Sequence, residues 1–291
     1  MNRQPLHRSC RSHAGSASLR SAVRPSAFGQ PALTQQGFSV IELIAALAVS
    51  AVVAAGLMLW ISRPLAALNE SHQRAAAVDQ AERVATWLAD ELPEALPNSA
   101  RVACGGRCLE FIPVLGYGDY RAATPGDILD LATTDNQFDV LKALPATPQT
   151  GLQIVINNQN ALSSGSMSAY SGDPNNNRGT VVAGASTTQI QMAPKQFPAP
   201  SPTQRFYLIG SPVSYLCQPA SSGGTMRRYA GYAIQAAQPT NVSLGDLLAG
   251  GMLDCQFSLA SPDLVSLRVT AGDGAADPVD FLAQFRLRHE P

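Results

Sequence analysis

Residues Gln35–Ser62 read QQGFSVIELIAALAVSAVVAAGLMLWIS. The stretch holds one charge, Glu42, followed by nineteen uncharged residues from Leu43 to Ile61. A helix of this length spans the roughly 30 Å of a bilayer's hydrocarbon core. A lone acid inside such a helix costs on the order of 3 kcal/mol, less near the interface. Glu42 therefore either reaches the headgroup layer or has a partner. Before the run come Arg3, Arg8, Arg11, Arg20 and Arg24 with no acid. A basic segment ahead of an apolar run suggests a secretory signal peptide, but three features disagree. The run exceeds the ~7–15 residues of an h-region. No small-x-small cleavage signal separates it from the next segment, and an acid sits within it. A single-pass anchor fits better. Only Arg63 comes closely after it, so the arginine bias keeps the N-terminus cytoplasmic and sends the remainder across the inner membrane.

Gly37 suggests the partner. A cut between Gly37 and Phe38 exposes a new amine at Phe38. Glu42 then lies four residues on, one helical turn away on the same face. Amine and carboxylate are both poorly solvated at the mouth of an apolar helix. In a bundle of parallel copies, the amine of one chain meets Glu42 of its neighbour. That pairing compensates two desolvated charges and fixes the axial stagger; removing one partner strands the other.

At Gly37-Phe38-Ser39-Val40-Ile41-Glu42 the chain resembles the type IV pilin and pseudopilin superfamily. The matching pattern is a glycine, a hydrophobic residue, Glu at the fifth mature position, then an apolar helix. The resemblance implies that residues 1–37 are a leader removed by the prepilin peptidase. It makes Phe38 the N-methylated terminus and Glu42 the assembly carboxylate. It also implies a 38–62 transmembrane helix that contacts other minor and major pilins. The leader is longer than is common in the superfamily. The helix lacks the mid-helix proline frequent in major pilins, leaving Gly56 as its weak point.

Beyond the anchor, residues 63–99 read as a second, amphipathic helix that packs on a head. Leu65, Leu68, Ala75, Val78, Ala85, Leu88 and Leu92 recur at helical spacing. The pattern predicts an interruption near Pro64 and an end at Pro93 and Pro97. From residue 100 to 291 the period becomes two. In DLVSLRVT (263–270), Val265, Leu267 and Val269 alternate with Ser266, Arg268 and Thr270. FLAQFRLR (281–288) alternates likewise, and LQIVIN, QIQM, RFYLIG and RRYAGYAI are shorter candidates. Alternation of this kind marks antiparallel strands with one buried face. Strands that come after a helix rather than interleave with helices give an α+β class: a long N-terminal α-helix and a C-terminal antiparallel head. Residues 163–180 and 193–204 read as turn-rich loops.

Of the five cysteines, Cys10 lies in the basic leader. The even set Cys104, Cys108, Cys217 and Cys255 in an exported head reads as two disulfides. Three pairings exist for four cysteines. Gly105-Gly106-Arg107 turns the chain tightly between Cys104 and Cys108, which favours 104–108 with 217–255. Zinc at CGGRC would need further Cys or His spacing that the head lacks. The only histidines after the leader, His72 and His289, lie on the helix and near the C-terminus, which suits no catalytic engine. GxSxG, P-loop, GxGxxG and HExxH motifs are absent. Asp173 and Asn175–Asn177 lack EF-hand spacing and read as an Asx-rich turn. The sequence thus suggests neither a catalytic residue, a metal nor a cofactor. Fifteen basic residues against twenty-one acidic ones lie beyond the leader, so no nucleic-acid footprint is present.

LADELPEALPNSARV (88–102), QFDV (137–140) and QRFYLIGSPVSYLC (204–217) make the head resemble minor pilins of the mannose-sensitive haemagglutinin (MSHA) pilus, the MshO type. This resemblance implies a minor pilin that initiates or tips a pilus and ends at the cell surface; cell adhesion, DNA uptake and pure scaffolding are all open as the role of the head. A minor pseudopilin of a type II secretion system and an anchored periplasmic binding module that never polymerises are the alternatives.

Overall fold

The computed structural model describes residues 37–241, 243–274 and 277–287, apart from the side chain of Arg63. The arginines and Cys10 of the leader, and Arg288 and His289, lie outside the described residues. The chain divides between Met58 and Leu59 into two units. One helix, α1 (Val40–Glu91), contributes to both. Pro64 lies inside it. The interruption expected there is therefore not a break. Proline deletes one backbone bond and crowds the carbonyl four residues back, at a cost of about 3 kcal/mol. The alanine- and leucine-rich flanks favour helix strongly enough to continue on both sides. Two residues before Pro93, α1 gives way to a single 3₁₀ turn, Leu92–Glu94. The cause is the steric bias against helix in the residue preceding proline.

Among the described residues, fourteen antiparallel strands come next: β1 (Arg101–Ala103), β2 (Cys108–Phe111), β3 (Val114–Asp119), β4 (Asp135–Asp139), β5 (Gln153–Ile156), β6 (Arg178–Thr180) and β7 (Gln189–Lys195). The remaining seven are β8 (Arg205–Ile209), β9 (Val213–Gln218), β10 (Thr225–Ala230), β11 (Asp246–Gly250), β12 (Met252–Ser261), β13 (Leu264–Ala271) and β14 (Val279–Arg286). They form a five-stranded sheet ordered β1-β2-β9-β10-β11 and a three-stranded sheet β12-β13-β14. A four-stranded sheet, β3-β8-β5-β6, and a β4-β7 ribbon complete the head. The α+β class read from the sequence is the observed one. Three details differ. Strand β6 lies at the end of the supposed loop 163–180, and β7 runs into the supposed loop 193–204. The RRYAGYAI candidate stops at Ala230, because Gly231 takes a left-handed φ of 77° that ends the extended run.

The buried face of α1 is Ala77, Ala81, Val84 and Leu88, continued by Leu92. It packs on Leu109, Phe111, Val213 and Tyr215 of the five-stranded sheet and on Phe257, Val265 and Leu267 of the three-stranded one. This corrects the stripe expected from spacing alone: Leu65 and Leu68 are exposed, as is Ala75, and Val78 is half-buried. Full burial of each leucine contributes about 2 kcal/mol. At the helix end, the Glu91 carboxylate accepts hydrogen bonds from Tyr215 Oη (2.8 Å) and Arg228 Nε (2.9 Å). Burial, and then the Glu91 charge, push the Tyr215 hydroxyl well above its ordinary range. That phenol therefore stays a donor and ties α1 to β9.

Among the described residues, two disulfides complete the frame. Cys217 of β9 and Cys255 of β12, with Cα atoms 6.5 Å apart, join the five- and three-stranded sheets inside the core under α1. Cys104 and Cys108, with Cα atoms 5.5 Å apart, close the β1–β2 turn. A Cβ at Gly106 (φ 95°) would come 2.9 Å from the Gln256 side chain and 3.3 Å from the Phe257 carbonyl, so that turn needs glycine. Chain entropy makes the long bridge worth about 4 kcal/mol and the short one about 2.

The opposite face of the five-stranded sheet is covered by the segment after β10. Arg101 donates to the Gln235 and Ala236 carbonyls at 2.9 and 2.7 Å. Its guanidinium lies 3.6 Å from the Tyr170 ring centroid. Its partner across the ladder is Glu110, at 2.9 Å and fully buried. Tyr232 and Ser214 share a 2.7 Å hydrogen bond beside it. Burial raises the Glu110 carboxyl above its ordinary value, although Arg101 pulls the other way. Protonation is thus easier in the folded chain, and Glu110's stability contribution is full at low pH and falls as pH rises through the raised value. Arg101→Ala strands this carboxylate and should cost about 3 kcal/mol in chemical denaturation. The loss should be larger at about pH 8 than at about pH 5, where Glu110 can take up a proton. An equal loss at both pH values would show that only Arg101's backbone contacts matter.

Candidate functional site

Gly37, Phe38 and Ser39 precede the first turn of α1, and Glu42 lies in that turn. The local sequence explains why the helix begins at Val40. The amide of Glu42 donates to Ser39 Oγ (3.3 Å), and the Ser39 amide reaches Glu42 Oε2 at the long limit of 3.5 Å. The amides of Glu42 and Leu43 also donate to the Ser39 carbonyl. This is a reciprocal capping box, in which Ser39 and Glu42 each satisfy an orphan amide at the helix start. The S-x-x-E signal was legible at 39–42, but the apolar run that draws attention to Glu42 hides it. The negative carboxylate also sits at the positive end of the helix dipole.

From Phe38 onward the first unit presents apolar side chains on every side. Phe38 is 81% exposed, Ile41 77% and Met58 75%. A helix that is apolar all round belongs in a protein core or a membrane. Among the described residues, α1 is the one helix long and apolar enough to cross a bilayer, and its apolar window is unburied. Inside the run, Ser50 and Ser62 return their hydroxyls to the Ala46 and Leu59 carbonyls (2.6 and 3.1 Å), which keeps both polar groups satisfied in apolar surroundings.

The remaining residues singled out by sequence belong to the second unit. The four cysteines there are joined in the 104–108 and 217–255 disulfides and form no open thiol site. His72 is exposed on α1. Asp173 Oδ1 accepts the Asn175 amide (2.8 Å) and Asn176 Oδ1 accepts the Arg178 amide (3.0 Å), so these side chains fold onto their own turn. No group of three or more His, Cys, Asp or Glu among the described residues could hold a metal ion.

A membrane-length helix with a capped carboxylate at its start, leading into an antiparallel β head, defines a pilin-like architecture. Residues 33–58 match the family model of the prokaryotic N-terminal methylation motif, which indicates a type IV pilin-like prepilin. Pilin-type chains are structural rather than catalytic. The motif implies a prepilin peptidase substrate and agrees with membrane anchoring through α1. No curated protein and no solved structure matches the chain.

Removal of the Ser39 hydroxyl tests the capping box. Ser39→Ala should lose about 1 kcal/mol at the helix start. In detergent micelles the amides of Glu42 and Leu43 should exchange hydrogen about fivefold faster, with those beyond Ala48 unchanged. Unchanged exchange at both amides would mean that the box does not hold in the membrane-mimetic state.

Proposed function

We propose that this chain is a prepilin cut between Gly37 and Phe38 by the prepilin peptidase, methylated on the Phe38 amine and inserted into a type IV filament as a minor pilin. Residues 1–37 are then the leader, 38–62 the membrane and assembly helix, 63–99 the segment leading into the head, and 100–291 the periplasmic head. The cytoplasmic side is the arginine-rich one. One coincidence carries the reading: the methylation motif at 33–58 falls where a capped carboxylate opens an unpartnered apolar helix.

The capping box gives the carboxylate a direction. A carboxylate offers about four acceptor positions, and the Ser39 amide uses one. Glu42 keeps the capacity to receive an ammonium from a neighbouring subunit while still closing its own helix. In apolar surroundings such an ion pair is worth more than in water. Because Glu42 is present, we place this chain below the topmost position of a tip, where no subunit above would supply an amine. The head segments 88–102, 137–140 and 204–217 support a minor pilin of the MSHA pilus over a secretion-system pseudopilin. They include the exit from α1 and most of β8 and β9.

Gly37→Leu should leave a slower-migrating, unprocessed band, and terminal sequencing of the wild-type chain should begin at N-methylated phenylalanine. Normal processing of the variant would sink the cleavage assignment. Glu42→Ala should be processed normally and reach the inner membrane, yet fall at least about tenfold in sheared pilus fractions. Wild-type abundance in those fractions would remove the assembly role and leave a tethered periplasmic module.

A further inference from the structure

Among the described residues, the arginines at 74, 101, 121, 205 and 228 each reach a carboxylate. Arg178 does not. It opens β6, is half-buried, and its guanidinium has neither an ion pair nor a hydrogen bond among the described residues. The ladder sets Arg178 opposite Val155 and Thr180 opposite Gln153. Alternation puts Arg178 and Thr180 on one side of the ribbon. There Gln153 Nε2 donates to Thr180 Oγ1 at 3.1 Å. Lys195, the last residue of β7, lines the same cleft, which has a volume of about 340 Å³. Its Nζ donates to the Pro174 carbonyl at 2.6 Å. Two of its three N–H groups remain available. Arg178 also borders an adjoining cleft of about 370 Å³ with Tyr232 and Ile234.

Two cations share this cleft on a body whose net charge is negative. Burial, and then the Arg178 charge, hold the Lys195 ammonium below its ordinary range, and burial also lowers Arg178. Asp173 is the one acid among the lining residues. It is exposed, its Oδ1 is taken up by the Asn175 amide, and it forms no ion pair with either cation. The Asp173 charge offsets only part of this, since the Lys195 ammonium stays below its ordinary range. Partly desolvated like charges that are incompletely compensated are costly, and an incoming anion relieves both the repulsion and the unmet donors.

We propose that this cleft binds an oxyanion, the carboxylate or phosphate group of a small ligand, with Arg178 as the forked donor and Lys195 as the point charge. A guanidinium presents parallel N–H groups that match two oxygens of either group, while an ammonium adds charge without that geometry. Gln153 and Thr180 offer amide and hydroxyl contacts to the rest of the ligand.

The test is calorimetric titration of the full chain in uncharged detergent micelles, with inorganic phosphate and separately with glucuronate. At least one anion should bind saturably at millimolar concentration. Arg178→Gln and Lys195→Gln should each weaken binding by about tenfold or more. Arg178→Lys, which keeps the charge but loses the fork, should fall between wild type and Arg178→Gln. Lys142→Gln, at an exposed position, controls for general loss of charge. Thermal melts matching wild type establish that the variants fold. Phosphate binding alone points to a phosphorylated ligand and glucuronate binding alone to a carboxylated one. No saturable heat with either anion, or equal weakening by Lys142→Gln, overturns the proposal.

Discussion

A carboxylate at the mouth of an apolar helix constrains the chain on both sides of it. Left bare, Glu42 would make the helix start expensive wherever water is thin. Ser39 meets part of that demand inside one chain, by trading hydrogen bonds across the first turn. The remaining demand is electrostatic, and a serine cannot meet it. An amine liberated at Phe38 can, and a free amine exists there only after processing. In the proposed reading, the five residues from Phe38 to Glu42 couple a local folding signal to a covalent event. The methylation motif spans residues 33–58, which include this segment.

Beyond the first unit, α1 changes its physical role without changing its secondary structure. The face made by Ala77, Ala81, Val84 and Leu88 enters a core shared by two sheets, and the Cys217–Cys255 bridge ties those sheets beneath it. Small residues come first on this face and larger ones later. The alanine end lies near Gly250, whose amide donates to Gln80 at 3.1 Å. The leucine end lies over β2 and β9, where Phe111 and Tyr215 supply bulk. The frame is held at both ends by polar contacts: Arg74 pairs with Asp277 at 2.7 Å, and Glu91 with Arg228 at 2.7 Å. The first pair is exposed and contributes little; the second is partly buried and hydrogen-bonded to Tyr215 as well.

The sequence was readable where one force dominated. Nineteen uncharged residues admit few interpretations, and strict alternation in 263–270 identified β13 because Val265, Leu267 and Val269 all face one core. It was less readable where context decides. Leu65, Leu68 and Leu88 are equivalent in a helical repeat, yet only Leu88 meets a sheet. Strand β5 could not show alternation, because Ile154 and Ile156 enter one core while Val155 enters another. Strand β6 is three residues long, with a central glycine, and its identity comes only from pairing with β5. Ser39 is obscured for a different reason: a short capping signal beside a strong hydropathy signal looks like part of it.

The arrangement of charge in the head reflects the scarcity of charged groups. With so few, most arginines have a carboxylate waiting, and burial is tolerable because both partners arrive together. Arg101 and Glu110 illustrate the limit. Their ladder positions face each other, but the carboxyl is so deeply buried that its proton affinity rises even with a guanidinium at 2.9 Å. The pair is therefore better understood as fixing register and anchoring the 235–236 segment than as a large source of stability. Fixing register matters here because β1 has only three residues, and a one-residue slip would turn Arg101 away from Glu110. The turn closed by Cys104 and Cys108 pins the same short hairpin from its other end. An otherwise marginal edge strand is thus held by a covalent clasp at its turn and an ion pair at its start.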